Sequence, residues 1–148
     1  MGELITIRSL PPGSETPPGG DLVTLPMTAH DRRRVRRIVE APDGTRLALE
    51  LATGSVLRPG QVLHRDGTRA YVVSAALEDV LVVAPRDLEE AARVGHLIGN
   101  LHRDIEAAGS EIVALADAAL EERLRRAGVR FAADRRAFHG RAPGEHSH

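Results

Sequence analysis

Hydrophobic and polar positions alternate with a period of two through the first half of the chain, and the period becomes helical after residue 77. Leu4 to Ile7 read as a short strand, followed by a Pro/Gly loop from Pro11-Pro12-Gly13 to Pro17-Pro18-Gly19-Gly20. Val23 and Leu25 alternate before Pro26, and Val35 to Val39 forms another apolar-containing run. Leu47, Leu49 and Leu51 interleave with Arg46, Ala48 and Glu50 as a half-buried strand. Turn residues punctuate these runs at Pro42-Asp43-Gly44, Pro59-Gly60 and Asp66-Gly67, with Val62-Leu63 and Ala70 to Val73 beside the last two. Short strands at this spacing predict a small all-β sandwich or barrel.

Beyond Leu77 the pattern is different. Val80-Leu81-Val82-Val83 is a continuous apolar run of strand length that stops at Pro85. Asp87 is a candidate helix cap with Glu89 and Glu90 in the first turn, and Leu88, Ala91, Ala92, Gly95, Ile98 and Gly99 fall on one helical face. Ala108-Gly109-Ser110, between Ile105 and Ile112-Val113, predicts a hairpin. Asp117 to Ala127 predicts a second helix that buries Leu120 and Leu124 and stops at Gly128, before a last strand over Val129 to Ala133. The order β-α-β-β-α-β is the ferredoxin-like arrangement. The expected fold is therefore α+β: a small all-β domain over residues 1–76, a ferredoxin-like domain over 77–134, and a disordered, His-containing tail over 135–148, which is polar and aperiodic.

Composition removes several function classes. There are no cysteines, so disulfides, Fe–S clusters and thiolate zinc sites are excluded. The formal charge of -1 argues against a general polyanion binder. Only Tyr71, Phe131 and Phe138 are aromatic; a core of Ala, Leu and Val buries limited area, and oligomerisation is one further source of stability. Met1-Gly2-Glu3-Leu4 has no basic or long apolar leader character, and no run approaches the ~20 apolar residues of a membrane span. A soluble cytoplasmic protein with no membrane partner is the expectation.

Without cysteine, any borderline metal ion such as Ni²⁺, Zn²⁺ or Cu²⁺ would rely on histidine, with carboxylates in support. His102, extended along the helix, projects on the face of Leu88, Ala91, Gly95, Ile98 and Gly99. Two readings compete for it: an imidazole serving the last carbonyls of a helix, or a ligand at a self-association surface where Ala and Gly admit a second copy and a two-fold axis joins two His102 side chains. His96 stands six residues before His102, roughly 120° away on a helix, and reads as a surface residue. His146 and His148 stand two apart at the chain end and could complete such a site, while His30, His64 and His139 have no partner spacing.

The run Arg32-Arg33-Arg34-Val35-Arg36-Arg37 raises an alternative, an RNA- or ribosome-associated binding protein. Yet residues 1–76 carry ten Arg against eight acids, and Val80 to Val83 offers no aromatic platform for bases. A charged strand edge that resists aggregation is the expected meaning, and no nucleic-acid partner is expected. No HExxH, GxSxG, GxGxxG or Lys-bearing phosphate loop is present, so no enzyme activity is expected.

At Gly99-Asn100-Leu101-His102, following the Asp87–Ile98 helix, the chain resembles the UreE family of urease accessory metallochaperones, which shows a GN-x-H segment leaving the first helix of a ferredoxin-like metal domain. The resemblance extends to Arg36-Ile38, to Pro42-Asp43-Gly44-Thr45 and to Gly54-Ser55-Val56-Leu57-Arg58-Pro59-Gly60-Gln61-Val62-Leu63, within a β domain of the partner- or peptide-binding type. It implies that His102 is the dimer-bridging nickel ligand, with His146 and His148 as further ligands from the tail. Where many relatives carry a histidine five residues earlier, this chain has Leu97, and it lacks a long His-rich tail. The implied activity is delivery of Ni²⁺ to the urease active site by a homodimer, with Zn²⁺ and Cu²⁺ as competing ions. The implied partners are the urease-assembly GTPase and apo-urease.

Overall fold

The computed structural model describes residues 2–14 and 20–141, and the chain divides into two compact units, Met1–Ala76 and Leu77–His148. The first unit contains strands β1 (Leu4–Ile7), β2 (Asp21–Met27), β3 (Arg36–Glu40), β4 (Arg46–Glu50), β5 (Val62–Asp66) and β6 (Arg69–Ala75), with one short helix, α1 (Ala29–Arg33). They form two three-stranded sheets, β1-β4-β3 and β2-β6-β5, each with one parallel and one antiparallel pair. One core joins them: Ile7, Leu47 and Leu49 from the first sheet meet Leu25, Met27, Leu63, Tyr71 and Val73 from the second. The alternation at Leu47 and Leu49 is what sends these side chains inward while Arg46, Ala48 and Glu50 face out.

The β3–β4 turn is tied to the other sheet by one carboxylate. Asp43 accepts hydrogen bonds from the Thr45 amide (3.0 Å), the Tyr71 hydroxyl (2.7 Å) and Arg69 (3.1 Å). Led by the Thr45 amide and then Tyr71, these donors hold the Asp43 carboxyl at about 2, well below the usual carboxylate range.

The arginine run is not the single strand edge expected. Thr28 and Asp31 form a reciprocal capping box that starts α1 and carries Arg32 and Arg33 onto a helix, with Arg34 at its C-cap. Arg32 is turned inward, 3% exposed, and donates to the Met27 carbonyl at 2.8 Å. Only Arg36 and Arg37 lie on β3.

The second unit is β7 (Leu77–Val83), α2 (Leu88–Asn100), β8 (Glu106–Ala108), β9 (Glu111–Leu115), α3 (Ala118–Arg126) and β10 (Ala132–Ala137). Its strands form one antiparallel sheet in the order β10-β7-β9-β8, and the βαββαβ succession is as expected. The helix-side core gathers Leu81 and Val83 of β7, Ala114 of β9, Val94 and Ile98 of α2, and Leu120 and Leu124 of α3. Ile98 clamps the last turns of α2 to the sheet, and Ile98→Ala is a cavity substitution of the kind that costs about 2–5 kcal/mol.

Two expectations are corrected here. The face drawn through Leu88 and Ile98 is two faces: Glu90, Val94 and Ile98 are buried, whereas Leu88 is 85% exposed. The flexible tail does not begin at 135, because β10 runs to Ala137 and the chain stays packed through Arg141. β10 carries only alanines and charged residues, with Arg135 paired to Asp79 of β7 (3.2 Å) and Arg136 to Glu111 of β9 (2.6 Å) and to Asp134 of its own strand (2.7 Å), so no apolar alternation marks it.

Candidate metal centre

The second unit presents His102 at the C-terminal end of α2. Asp87 starts this helix by accepting from the Glu90 amide at 2.8 Å, and Arg86 pairs with Glu90 at 2.6 Å, so the buried carboxylate of Glu90 is committed to the helix start. The helix ends at Asn100 with Leu101 as its C-cap, and His102 lies beyond it. The face extrapolated along the helix to His102 is therefore corrected: the imidazole leaves from a turn.

That turn is a Schellman cap. The His102 amide donates to the Gly99 carbonyl (3.0 Å) and the Arg103 amide to the Ile98 carbonyl (3.3 Å). The geometry requires a left-handed backbone at the residue after the cap, and His102 has φ 55, the one positive-φ residue other than glycine among the described residues. For an L residue this conformation costs roughly 1–2 kcal/mol, which is why glycine usually stands there. The carbonyls of Leu97, Ile98 and Gly99 are already served by backbone amides, so the imidazole is not needed to cap them. The side chain is exposed.

Leu88, Ala92, Gly95 and Gly99 recur at helical spacing on α2, about 140° from its buried face, as a stripe of small residues with one exposed leucine. A Cβ built on Gly99 meets nothing within 4 Å. The stripe runs to the end of the helix where His102 begins.

Sequence reasoning passed over the residues beside His102. Arg103 reaches Asp117, with Nη2 2.5 Å from Oδ2, and the other oxygen of Asp117 accepts from the Ala119 amide at the start of α3 (2.9 Å). Arg103, Asp104, Leu115, Ala116 and Asp117 line a cleft of about 340 Å³. The spacing of Arg103 and Asp117 carried no signal, because the topology brings them together. Among the described residues, no three His, Asp or Glu side chains gather as a cation site, and His102 stands as a single imidazole. His96 is exposed on α2, His30 is exposed on α1, His64 packs against Tyr71 with ring centroids 6.0 Å apart, and His139 Nδ1 lies 3.3 Å from Glu106. His146 and His148 lie outside the described residues.

A β-rich unit followed by a ferredoxin-like unit, with an outward imidazole at the end of its first helix, is the build of a urease accessory protein. The N-terminal domain of the UreE urease accessory protein matches residues 6–76, and its C-terminal domain matches residues 78–148. The urease accessory protein UreE of Deinococcus radiodurans is 54% identical over 128 residues, covering 86% of this chain and 82% of that protein. That of Synechococcus sp. (strain JA-3-3Ab) is 52% identical over 132 residues, 89% of each. That of Geobacillus kaustophilus is 30% identical over 137 residues, 92% of this chain and 86% of that protein. The chain belongs to the UreE family. No helix among the described residues is long and apolar enough to cross a membrane.

Proposed function

We propose that this protein is a nickel metallochaperone of urease maturation: a homodimer that holds Ni²⁺ between two His102 imidazoles and passes it on without bond-making chemistry. The observation that carries this reading is His102 itself, an exposed imidazole in a backbone conformation that glycine would adopt at lower cost, at a helix end that does not need its side chain. Membership of the UreE family supports urease maturation as the setting and nickel as the cargo.

A single imidazole from one chain cannot enclose an ion, which argues for a symmetric site. The stripe of exposed Leu88 and Ala92 with half-buried Gly95 and Gly99 supports a dimer formed there, since small residues admit a second helix closely. Two imidazoles leave coordination positions open. His146 and His148 fill some of these and yield to a recipient's ligands, the urease-assembly GTPase first and apo-urease last. Zn²⁺ and Cu²⁺ compete for the same nitrogen ligands. The two units divide the work, the first, Met1–Ala76, for partner contacts and the second, from Leu77, for the ion.

A Ni²⁺ titration with mass determination of metal-free and loaded protein tests this directly. The expected result is a dimer with one tight Ni²⁺ per two chains. A monomer that binds one ion per chain with the same affinity overturns it.

A further inference from the structure

The two sheets of the first unit differ on their outer faces. On the second sheet, the outward residues of the central strand β6, Ala70 and Val72, are buried together with Val62 of β5. The loop through Gly13 and Ser14 is tied along β5 there. Its Ser14 carbonyl accepts from the Val62 amide (2.7 Å) and its Gly13 carbonyl from Arg65 (3.1 Å). On the first sheet, strand alternation sends Leu4, Ala48 and Ile38 outward, and Leu4 is 51% and Ile38 53% exposed. With Arg8, Arg36 and Glu50 they line a groove of about 620 Å³.

The strand register divides this face into three rows. Leu4, Arg46 and Glu40 form the first, and Thr6, Ala48 and Ile38 the second. The third is Arg8, Glu50 and Arg36: Arg36 stands opposite Glu50 on one side, and Arg8 holds Glu50 from the other at 3.1 Å. One carboxylate therefore stands between two guanidinium groups, and Arg36 makes no ion pair among the described residues. The Arg8–Glu50 pair is itself exposed and worth little, so Arg8 is free to turn to a second carboxylate. The face is aliphatic with balanced charge over its first two rows and positive at its third.

We propose that the outer face of the β1-β4-β3 sheet docks an extended, acidic segment of a partner protein. Its aliphatic side chains rest on Leu4 and Ile38, and its carboxylates meet Arg8 and Arg36. This rests on the reading of the first unit as the one that contacts partners, and it names the face and the chemistry. Successive rows lie two residues apart, so an extended segment matches them with apolar side chains at positions i and i+2 and an acid at i+4. A second copy of this chain fits poorly. Its own outer face carries Arg8, Arg36 and Arg46 against Glu40 and Glu50, so two copies would set excess positive charge against positive charge. Two exposed aliphatic side chains also fall well short of the ~800 Å² per partner that a stable dimer buries. Nucleic acid fits no better, since the centre of the face has no aromatic ring for a base and Glu50 repels phosphate.

The probe is a fluorescein-labelled peptide, Leu-Thr-Leu-Thr-Glu-Thr-Glu, titrated with the full-length chain and read by anisotropy. Wild type should bind it saturably, and Arg36→Glu and Ile38→Ser should each weaken binding at least about 5-fold. Replacing both peptide glutamates by glutamine should weaken it as much, with no change to the protein that could disturb folding. Leu22→Ser, at a similarly exposed leucine on the other sheet, should leave binding as it is. No binding, or binding that ignores Arg36→Glu, Ile38→Ser or the glutamine peptide, overturns the proposal. Oligouridylate that displaces the peptide and binds Ile38→Ser as well as wild type makes the face a polyanion surface and also overturns it. Amide NMR shifts on adding the peptide separate the proposal from the reading it rests on. Shifts centred on β1, β4 and β3 support both; shifts elsewhere in the first unit overturn the face alone, and shifts confined to the second unit overturn both. The Ni²⁺ isotherms of Arg36→Glu and Ile38→Ser should match wild type, so the reading of His102 is scored independently.

Discussion

The two helices of the second unit end in the same way with different residues. α3 closes with the Gly128 amide on the Arg125 carbonyl and the Val129 amide on the Leu124 carbonyl, both at 3.0 Å, and Gly128 has φ 70. α2 closes with the equivalent pair of bonds, but the left-handed position is His102 and the next residue is Arg103. At α3 the cap also seals apolar surface, since Val129 and Leu124 belong to one core. At α2 the residue after His102 turns to Asp117. One end follows the stability rule in every position, and the other departs from it where an imidazole is exposed. Under the proposed function, the departure trades backbone strain for an exposed imidazole at a site that two chains complete.

The largest expected effect breaks this comparison. His102→Ala should lower Ni²⁺ affinity by at least on the order of 100-fold while leaving the circular dichroism spectrum and the metal-free melting temperature nearly unchanged. Gly128→Ala should do the reverse, keeping the Ni²⁺ isotherm and losing about 1 kcal/mol of stability, since its Cβ would meet nothing within 4 Å and only the backbone is strained. If both substitutions act alike, the two helix ends do not differ in role.

Acid should separate them next. An imidazole must be deprotonated to ligate, so metal binding by two histidines competes with protons and affinity should fall steeply between pH 7 and about 5.5. A carboxylate site would keep most of its affinity over that range, and a flat Ni²⁺ titration would remove histidine from the centre. A smaller effect has the opposite sign: His102→Gly should raise the metal-free stability by up to about 1 kcal/mol, read as a melting temperature a few degrees higher, while abolishing the tight site. A lower melting temperature would mean that the imidazole holds the fold.

The smallest effect is a control from the first unit. Asp43 titrates at about 2 against an ordinary 3.8, so it binds fewer protons when folded, and the stability it contributes is present above pH ~4 and lost as pH falls toward 2. Asp43→Asn should flatten that part of the acid-unfolding curve. The window lies below that of imidazole protonation, so metal loss and acid unfolding are separable; a curve unchanged in slope would contradict the role given to the Tyr71–Asp43 bond.

Most of the architecture was legible because periodicity and caps agree. Asp87, Asp117 and Gly128 mark helix ends at the positions where the structure has them, and the Gly109 turn joins β8 to β9. Three features were not. α1 is short, and its Thr28-x-x-Asp31 signal was masked by the charge of the arginines that follow. β10 is bordered by ion pairs and followed by Phe138, with Gly140 close against its ring, none of which leaves a periodic trace. The stripe on α2 was merged with the buried face because Ile98 is adjacent to Gly99, and burial alone tells them apart. His102 was legible through the Gly99-Asn100-Leu101-His102 segment, but its backbone strain was not, since no neighbouring residue dictates a positive φ.

Asp117 has two duties, with one oxygen on the first turn of α3 and the other on Arg103, the residue next to His102. If His102 takes up an ion as proposed, any adjustment of its turn would pull on the start of α3. The Ala119 amide becomes a natural reporter: its hydrogen–deuterium exchange rate should change when Ni²⁺ is added and should stop responding in Arg103→Ala. Loading of the centre could then be followed at α3, without a probe on the imidazole itself.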